Sequence, residues 1–331
     1  MRASILGITS YLPAQSVTNA DLNARFPEWS VDRTADKTGI HRRHIASNDQ
    51  SASDLAYAAA QQLFTRRICT PDEVDYLLFC TQSPDYFLPT TACLLQQRLG
   101  IPKRAGALDF NLGCSGYVYG LGLAQGLIVS GQASRVLFLT AETYSKYLDP
   151  QDRSSITIFG DGAAATLIGA VPDREAPMQS AYVYGTDGTG AEHLMVSNGG
   201  SRARCANQQP AQAALWMNGP EIFHFTLRVV PACDRELLEK TDKRIEDIDL
   251  FVFHQANRYM LEHLRTKLQI PTGKFYISLA ETGNTVSSTI PIALESARDE
   301  GRLKPGQQIM LVGFGVGLSW GATLLSWPYL G

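Results

Sequence analysis

Cys114 lies in the run Leu112-Gly113-Cys114-Ser115-Gly116, where an apolar stretch ends and a long Gly- and Ala-rich apolar segment begins. Residues 107–112 suit a strand. The segment that follows is too long for one, so a buried helix opening at about Ser115 is expected. Cys114 would then stand at a helix N-terminus. Free backbone N–H groups and the helix dipole there favour the nucleophilic thiolate over the thiol. The competing reading is a small buried side chain with no chemistry. Two other positions bear chemical groups at the ends of apolar runs. His254 follows Leu250-Phe251-Val252-Phe253 and opens His254-Gln255-Ala256-Asn257, and Asn284 stands in Gly283-Asn284-Thr285. Each has a plain structural reading as well: a hydrogen-bonded histidine at a strand end, and a Gly-Asn turn.

The elements that must position these residues form a repeat. The stretch Glu73-Val74-Asp75-Tyr76-Leu77-Leu78-Phe79-Cys80 resembles Asp247-Ile248-Asp249-Leu250-Phe251-Val252-Phe253-His254, offset by 249 − 75 = 174 residues. The strand 136–140 resembles 309–313, and Ala165-Thr166-Leu167 resembles Ala322-Thr323-Leu324. The order is kept, which predicts two α/β halves of one topology, residues 1–172 and 173–331, with a boundary in the polar segment 173–177. Continuous apolar strands separated by helices fit sheets buried on both faces. Equivalent strand ends then meet at a central crevice, where α/β folds place their sites. Cys114 belongs to the first half and His254 to the second.

Composition bounds the function. The chain has 331 residues, 44% hydrophobic and 18% charged, with a formal net charge of −3, an ordinary globular balance that does not suggest a nucleic-acid or membrane-surface protein. The six cysteines include no CxxC pair, so no metal site is expected, and reduced thiols point to the cytoplasm. The N-terminus reads as a first strand, not a signal peptide, and no apolar run approaches bilayer length. The order Cys, His, Asn with 254 − 114 = 140 also fits papain-like proteases, but the local sequence LGCSGY and the strand repeat exclude that reading.

Taken together, DFNLGCSGY, IFGDGAAATLI, FHQAN, ETGNTVSSTIP and LVGFGVGLSWGATLL resemble the β-ketoacyl-acyl-carrier-protein synthase III family of the thiolase superfamily. SYLPAQSVTNADL and TGIHRRHIA are similar to it too, so the resemblance runs nearly end to end. It implies an α/β, thiolase-like, five-layered αβαβα fold of two duplicated halves, a homodimer, and an enzyme of the acyltransferase class.

The resemblance also implies residue roles. Cys114 takes the acyl group from acyl-CoA. His254 and Asn284 donate hydrogen bonds to the thioester oxygen of malonyl-acyl-carrier protein as decarboxylation makes it an enolate, and such donors are worth about 3–4 kcal/mol each. Backbone N–H groups of Cys114 and of the Gly315-Val316 turn hold the later oxyanion. Lys37, Arg153 and Asn257 face CoA, and Arg258 and Arg265 face the acidic carrier protein. Phe87 and Leu88 fall where the family gates its acyl pocket, either within the chain or across the dimer. No permanently bound cofactor and no metal is implied.

Several positions depart from the family pattern. Leu112-Gly113-Cys114-Ser115-Gly116 replaces Ala-Ala-Cys-Ala-Gly, and Val316 replaces the middle glycine of three. Lys37 precedes Thr38-Gly39-Ile40 where an Arg is usual, and Trp29 lies farther away. Tyr259 takes the place of a carrier-binding Arg, with Arg258 beside it. These changes keep open a related acyltransferase with an amine or hydroxyl acceptor, a carrier-protein acyl donor, and a non-catalytic subunit. Asn284 speaks against the first, because an amide stabilises an enolate without protonating it.

Overall fold

Two sheets carry the computed structural model, which describes residues 2–28, 30–172, 178–198, 200–202 and 214–328. Trp29, Cys205 and the boundary segment 173–177 lie outside the described residues. The first sheet contains β1 (Arg2–Tyr11), β2 (Tyr76–Cys80), β3 (Gly106–Phe110), β4 (Arg135–Glu142) and β5 (Gly162–Val171) in the order β1-β5-β4-β2-β3. The second contains β6 (Met178–Thr186), β7 (Leu250–Phe253), β8 (Gln308–Gly315) and β9 (Ser319–Ser326) in the order β6-β9-β8-β7.

The second sheet repeats the strand senses of the first. β1 pairs antiparallel with β5, β5 antiparallel with β4, and β4 parallel with β2. In the same way β6 pairs antiparallel with β9, β9 antiparallel with β8, and β8 parallel with β7. The place of β3 is taken by Phe275, which forms an isolated parallel bridge to Phe251. The repeat extends to single residues. Asp75 accepts the backbone N–H of Arg135 at 2.9 Å, and Asp249 accepts that of Gln308 at 2.8 Å. These aspartates lock the starts of equivalent strand pairs.

Helices fill three layers. On the outer face of the first sheet lie α1 (Ala52–Thr65) and α2 (Thr91–Arg98). Between the sheets lie α3 (Gly116–Val129), which touches strands of both, and α6 (Thr289–Asp299). Outside the second sheet lies α4 (Gly219–Thr241), packed against α5 (Arg258–Lys267). The result is αβαβα. The apolar circumference of α3 explains its central place, since Tyr117, Val118, Leu121, Ala124 and Ile128 are all buried. β4 and β5 are buried along almost their whole lengths, as strands covered on both faces must be. Among the described residues no helix is long and apolar enough to cross a membrane.

Candidate active site

The β3–α3 connection delivers Cys114. β3 ends at Phe110, and Ser115 is the N-cap of α3, one residue after the cysteine. The helix therefore starts where the apolar segment predicts. Cys114 is 7% exposed and belongs to the apolar cluster of the second half. Opposite it, the β8–β9 turn passes so close that a Cβ on Gly315 would lie 2.9 Å from Cys114 Sγ; only glycine fits there. The backbone N–H groups of Cys114 and Val316 are aimed at the sulfur.

β7 delivers His254. Its backbone N–H donates to Val312 O at 2.8 Å, continuing the β7–β8 ladder by one residue. The ring stacks edge-on against Phe314, 5.5 Å between centroids. Nδ1 lies 2.7 Å from Thr289 Oγ1, and that hydroxyl donates to Val286 O at 3.0 Å. With the Thr289 proton committed to Val286, Nδ1 carries a hydrogen and Nε2 has the free lone pair.

Asn284 is held from both sides. Its N–H donates to Ile158 O at 2.9 Å and its O accepts from Gly160 N–H at 3.0 Å, pinning this second-half loop to the first half. Its side-chain Oδ1 accepts Val286 N–H at 2.9 Å, which leaves the Nδ2 hydrogens as the outward group. Val286 is a β-branched residue at φ +55°, a strained conformation that this hydrogen bond helps to hold.

These three side chains line one apolar cavity of about 120 Å³, with Tyr144, Phe159, Leu194, Ile222 and Phe314 among its walls. A larger mouth cavity of about 780 Å³ adjoins it, and Ile158 and Asn257 line both. Lys37, Arg33 and Arg153 border the mouth, so Lys37, Arg153 and Asn257 do come together. Arg153, however, is ion-paired with Glu28 across the opening. Asn257 uses Oδ1 to cap α5 through Met260 N–H at 2.9 Å.

Other expected positions lie elsewhere. Phe87 and Leu88 are 75% and 82% exposed, and neither lines the Cys114 cavity of its own chain. Arg258 is exposed and covers Gly39 beside the mouth. Arg265 is committed locally, with Nε 2.7 Å from Glu262 and Nη1 donating to Ile270 O, so it is not a free surface cation. Sequence reasoning did not single out Tyr144, Thr289 or Glu142. For Glu142 there was a signal, because a carboxyl ends the otherwise apolar strand β4.

The electrostatics correct one expectation. Burial pushes the Cys114 thiol up to about 12, with Glu142 adding to the rise, against the two backbone N–H groups that lower it. Burial pushes Glu142 itself up to about 8, so near neutrality that carboxyl is mostly protonated and burial alone is the stronger cause. The resting group is a thiol, despite its helix N-terminus. Burial also pulls His254 down to about 3, which keeps its ring neutral. A neutral imidazole beside a thiol is a proton acceptor, and an amide N–H pair facing the same space is an oxygen-binding donor. Among the described residues no three or more His, Cys, Asp or Glu side chains are grouped to hold a metal ion.

Comparison with known proteins decides the family. The model described as 3-oxoacyl-[acyl-carrier-protein] synthase III matches residues 108–188, and that of its C-terminal part matches residues 238–327. A β-ketoacyl-[acyl-carrier-protein] synthase III from Caldanaerobacter subterraneus subsp. tengcongensis is 37% identical over 327 residues, 98% of each chain. The chain belongs to the β-ketoacyl-acyl-carrier-protein synthase III family. A Streptomyces coelicolor synthase III is 38% identical over 330 residues, 99% of this chain and 98% of that one. A crystal structure of a 3-oxoacyl-(acyl-carrier-protein) synthase III is 48% identical, with a TM-score of 0.95 over 99% of this chain and 100% of that one. As a member of the synthase III family the chain is a condensing enzyme of the acyltransferase class.

Proposed function

We propose that this enzyme condenses an acyl thioester, acyl-CoA, with malonyl-acyl-carrier protein to give 3-oxoacyl-acyl-carrier protein, carbon dioxide and free CoA, through an acyl group carried on Cys114. The convergence of Cys114, His254 and Asn284 on one cavity carries the reading. Residues 1–172 and 173–331 act as its two halves, the first holding the nucleophile and the second the donors.

In the first half-reaction Cys114 sulfur attacks the thioester carbonyl. His254 Nε2 takes the thiol proton and passes it to the departing CoA sulfur, so the ring ends neutral. The backbone N–H groups of Cys114 and Val316, brought close by Gly315, hold the oxygen as it becomes an anion. In the second half-reaction the malonyl carboxylate leaves as carbon dioxide. Its electron pair becomes an enolate whose oxygen is held by Asn284 Nδ2. His254 adds a second donor in the Nε2–H form, with the Thr289 hydroxyl turned from Val286 O to Nδ1. One hydroxyl thus supports both ring forms. The enolate carbon attacks the acyl carbonyl, the C–S bond breaks, and the Cys114 thiolate recovers a proton from solvent.

Lys37, Arg153 and Asn257 border the channel for the CoA arm, and Lys is a weaker fit to phosphate than the planar fork of Arg. Arg258 meets the acidic carrier protein; Arg265, paired with Glu262, supports the helix end. A cytoplasmic homodimer belongs to the same reading. The exposed row Tyr86, Phe87 and Leu88 gives a second copy an apolar surface to cover.

The test is a product assay. Acetyl-CoA with malonyl-carrier protein should give equal amounts of carbon dioxide and 3-oxoacyl-carrier protein. Release of CoA without carbon dioxide, with the acyl group recovered on an amine or hydroxyl acceptor, would favour the related acyltransferase.

A further inference from the structure

Arg43 is a buried cation, 1% exposed, in the short ribbon that pairs Ser16–Thr18 with Arg42–His44. Burial lowers it only to about 10, so it keeps its charge near neutrality, and among the described residues no carboxylate offsets that charge. An apolar side chain of similar volume would fill the place with less desolvation. What sets Arg43 apart from such a filler is the set of oxygens it reaches. Nη2 donates to Asn19 Oδ1 at 2.8 Å and to Thr157 O at 2.9 Å, and Nη1 donates to Val17 O at 3.4 Å. Asn19 in turn donates through Nδ2 to Ile40 O at 2.8 Å. One guanidinium thus ties the ribbon and the start of the next helix to a segment more than a hundred residues away.

That segment, 157–160, is the one that holds Asn284. Ile158 O accepts the Asn284 N–H, Gly160 N–H donates to Asn284 O, and Phe159 forms an isolated parallel bridge with Asn284. The stem of Arg43 backs both sides of this bridge. A Cβ on Gly160 or on Gly283 would lie 3.2 Å from Arg43 Cβ. Gly160 also passes so close to the Asn284 loop that its own Cβ would lie 2.5 Å from Thr282 O. Arg43 therefore fixes the bridge twice, by its fork at Thr157 and by its stem at the two glycines. The other two site residues are held without it. His254 is bonded to Val312 and Thr289, and the sulfur of Cys114 faces its own N–H and that of Val316.

We propose that Arg43 is a positioning residue for the decarboxylation half-reaction: its guanidinium anchors Thr157 and its stem backs Gly160 and Gly283, so that the Asn284 amide stands where the enolate oxygen forms. Without the fork, the bridge keeps its own two hydrogen bonds but loses the anchor at its edge, and the amide shifts. A displacement of about 1 Å at a group that must meet a developing charge costs up to about 100-fold in rate. Arginine suits the task because its planar fork reaches oxygens of separate segments at fixed angles, which a lysine amine does not. This inference rests on the reading of Asn284 as the enolate donor and adds to it the residue that holds that donor in place.

The experiment is a double-mutant cycle. Arg43→Met keeps the stem and removes the fork. It is made in wild type and in Asn284→Ala, and each protein is assayed for acylation of Cys114 by acetyl-CoA and for carbon dioxide release from malonyl-carrier protein. With Asn284 present, Arg43→Met should lower carbon dioxide release about 10- to 100-fold and leave the acylation rate within about threefold. In the Asn284→Ala background the same substitution should change release by less than about twofold, because the group it positions is gone. Arg43→Lys, which keeps the charge and one donor, should lose less, and it decides the matter if Arg43→Met shows no cooperative melting. Equal falls in acylation and in release would mark a merely structural role and overturn the inference. So would unchanged release in a folded variant, or an effect of Arg43→Met that is as large without Asn284 as with it. Each of these leaves the reading of Asn284 standing. Carbon dioxide release at the wild-type rate in Asn284→Ala alone would overturn both.

Discussion

Thr289 Oγ1 stands 2.7 Å from His254 Nδ1, in a buried site where the ring nitrogen has no other partner among the described hydrogen bonds. Substituting Thr289→Val keeps the shape and deletes the hydroxyl, so Nδ1 loses the partner that supports it in both ring forms. An unpaired buried polar group costs about 1–3 kcal/mol, so kcat should fall about 10- to 100-fold. Thr289→Ser should restore most of it. Equal loss in both variants, measured with matched melting temperatures, would contradict the role.

Asn284 separates the two half-reactions. In Asn284→Ala the thiol and His254 are untouched, so acylation of Cys114 should continue near its normal rate. Decarboxylation of malonyl-carrier protein should fall about 10²- to 10³-fold, the cost of one oxyanion donor. Single-turnover mass spectrometry beside carbon dioxide release measures both. A loss of acylation as large as that of decarboxylation would contradict the assignment.

Cys114 is pushed up to about 12 by burial, so its thiolate is scarce at neutral pH. Alkylation of Cys114 by iodoacetamide should therefore rise about tenfold per pH unit through pH 9 without levelling, whereas an ordinary thiol levels above about 8.5. Peptide mapping, with exposed Cys93 followed in the same sample, reads the profile. A plateau below pH 8 would show that the helix N-terminus prevails over burial.

Glu142 links pH to stability. Its carboxyl accepts Gln82 N–H, Ser83 Oγ–H and Ser287 Oγ–H, which ties the halves together behind the site. Burial raises it from 4.5 to about 8. The folded state therefore holds the proton more tightly than the unfolded chain. That contribution is complete below about pH 4.5 and is lost as pH rises toward 8, at about 1.4 kcal/mol per pH unit within the window. Asp161 and Asp234, also raised by burial, contribute in the same direction and are shared by wild type and a Glu142→Gln variant. Glu142→Gln should remove only its own part. Its melting temperature relative to wild type should increase steadily from pH 5 to pH 8, and a difference that does not change with pH would contradict this.

The sequence made the fold and the convergence of three side chains readable because each sits immediately after a local signal. Cys114 follows a strand and glycine, His254 ends an apolar run that repeats an earlier one, and Asn284 lies in a glycine turn. Gln82, Tyr144 and Thr289 carried no such signal. Their importance comes from contacts between residues far apart in the chain, such as Tyr144 with Gln82 and His254 with Thr289. The ion pair of Arg153 with Glu28, 125 residues away, is of the same kind. Arg265 differs, since its partner Glu262 is three residues away on one helix and was visible in the sequence. The state of Cys114 failed for another reason. The helix terminus sets the sign of one effect, and only the packed structure shows that desolvation is larger.

The central claim is that Cys114 carries the acyl group between two substrates. It is tested most directly with acetyl-CoA labelled in the acetyl carbonyl. The label should appear on the peptide containing Cys114, be absent in Cys114→Ala, and leave that peptide on addition of malonyl-carrier protein with one carbon dioxide released per acetyl group lost. Label that stays on the peptide, or a Cys114→Ala protein that still forms 3-oxoacyl product, would contradict the account.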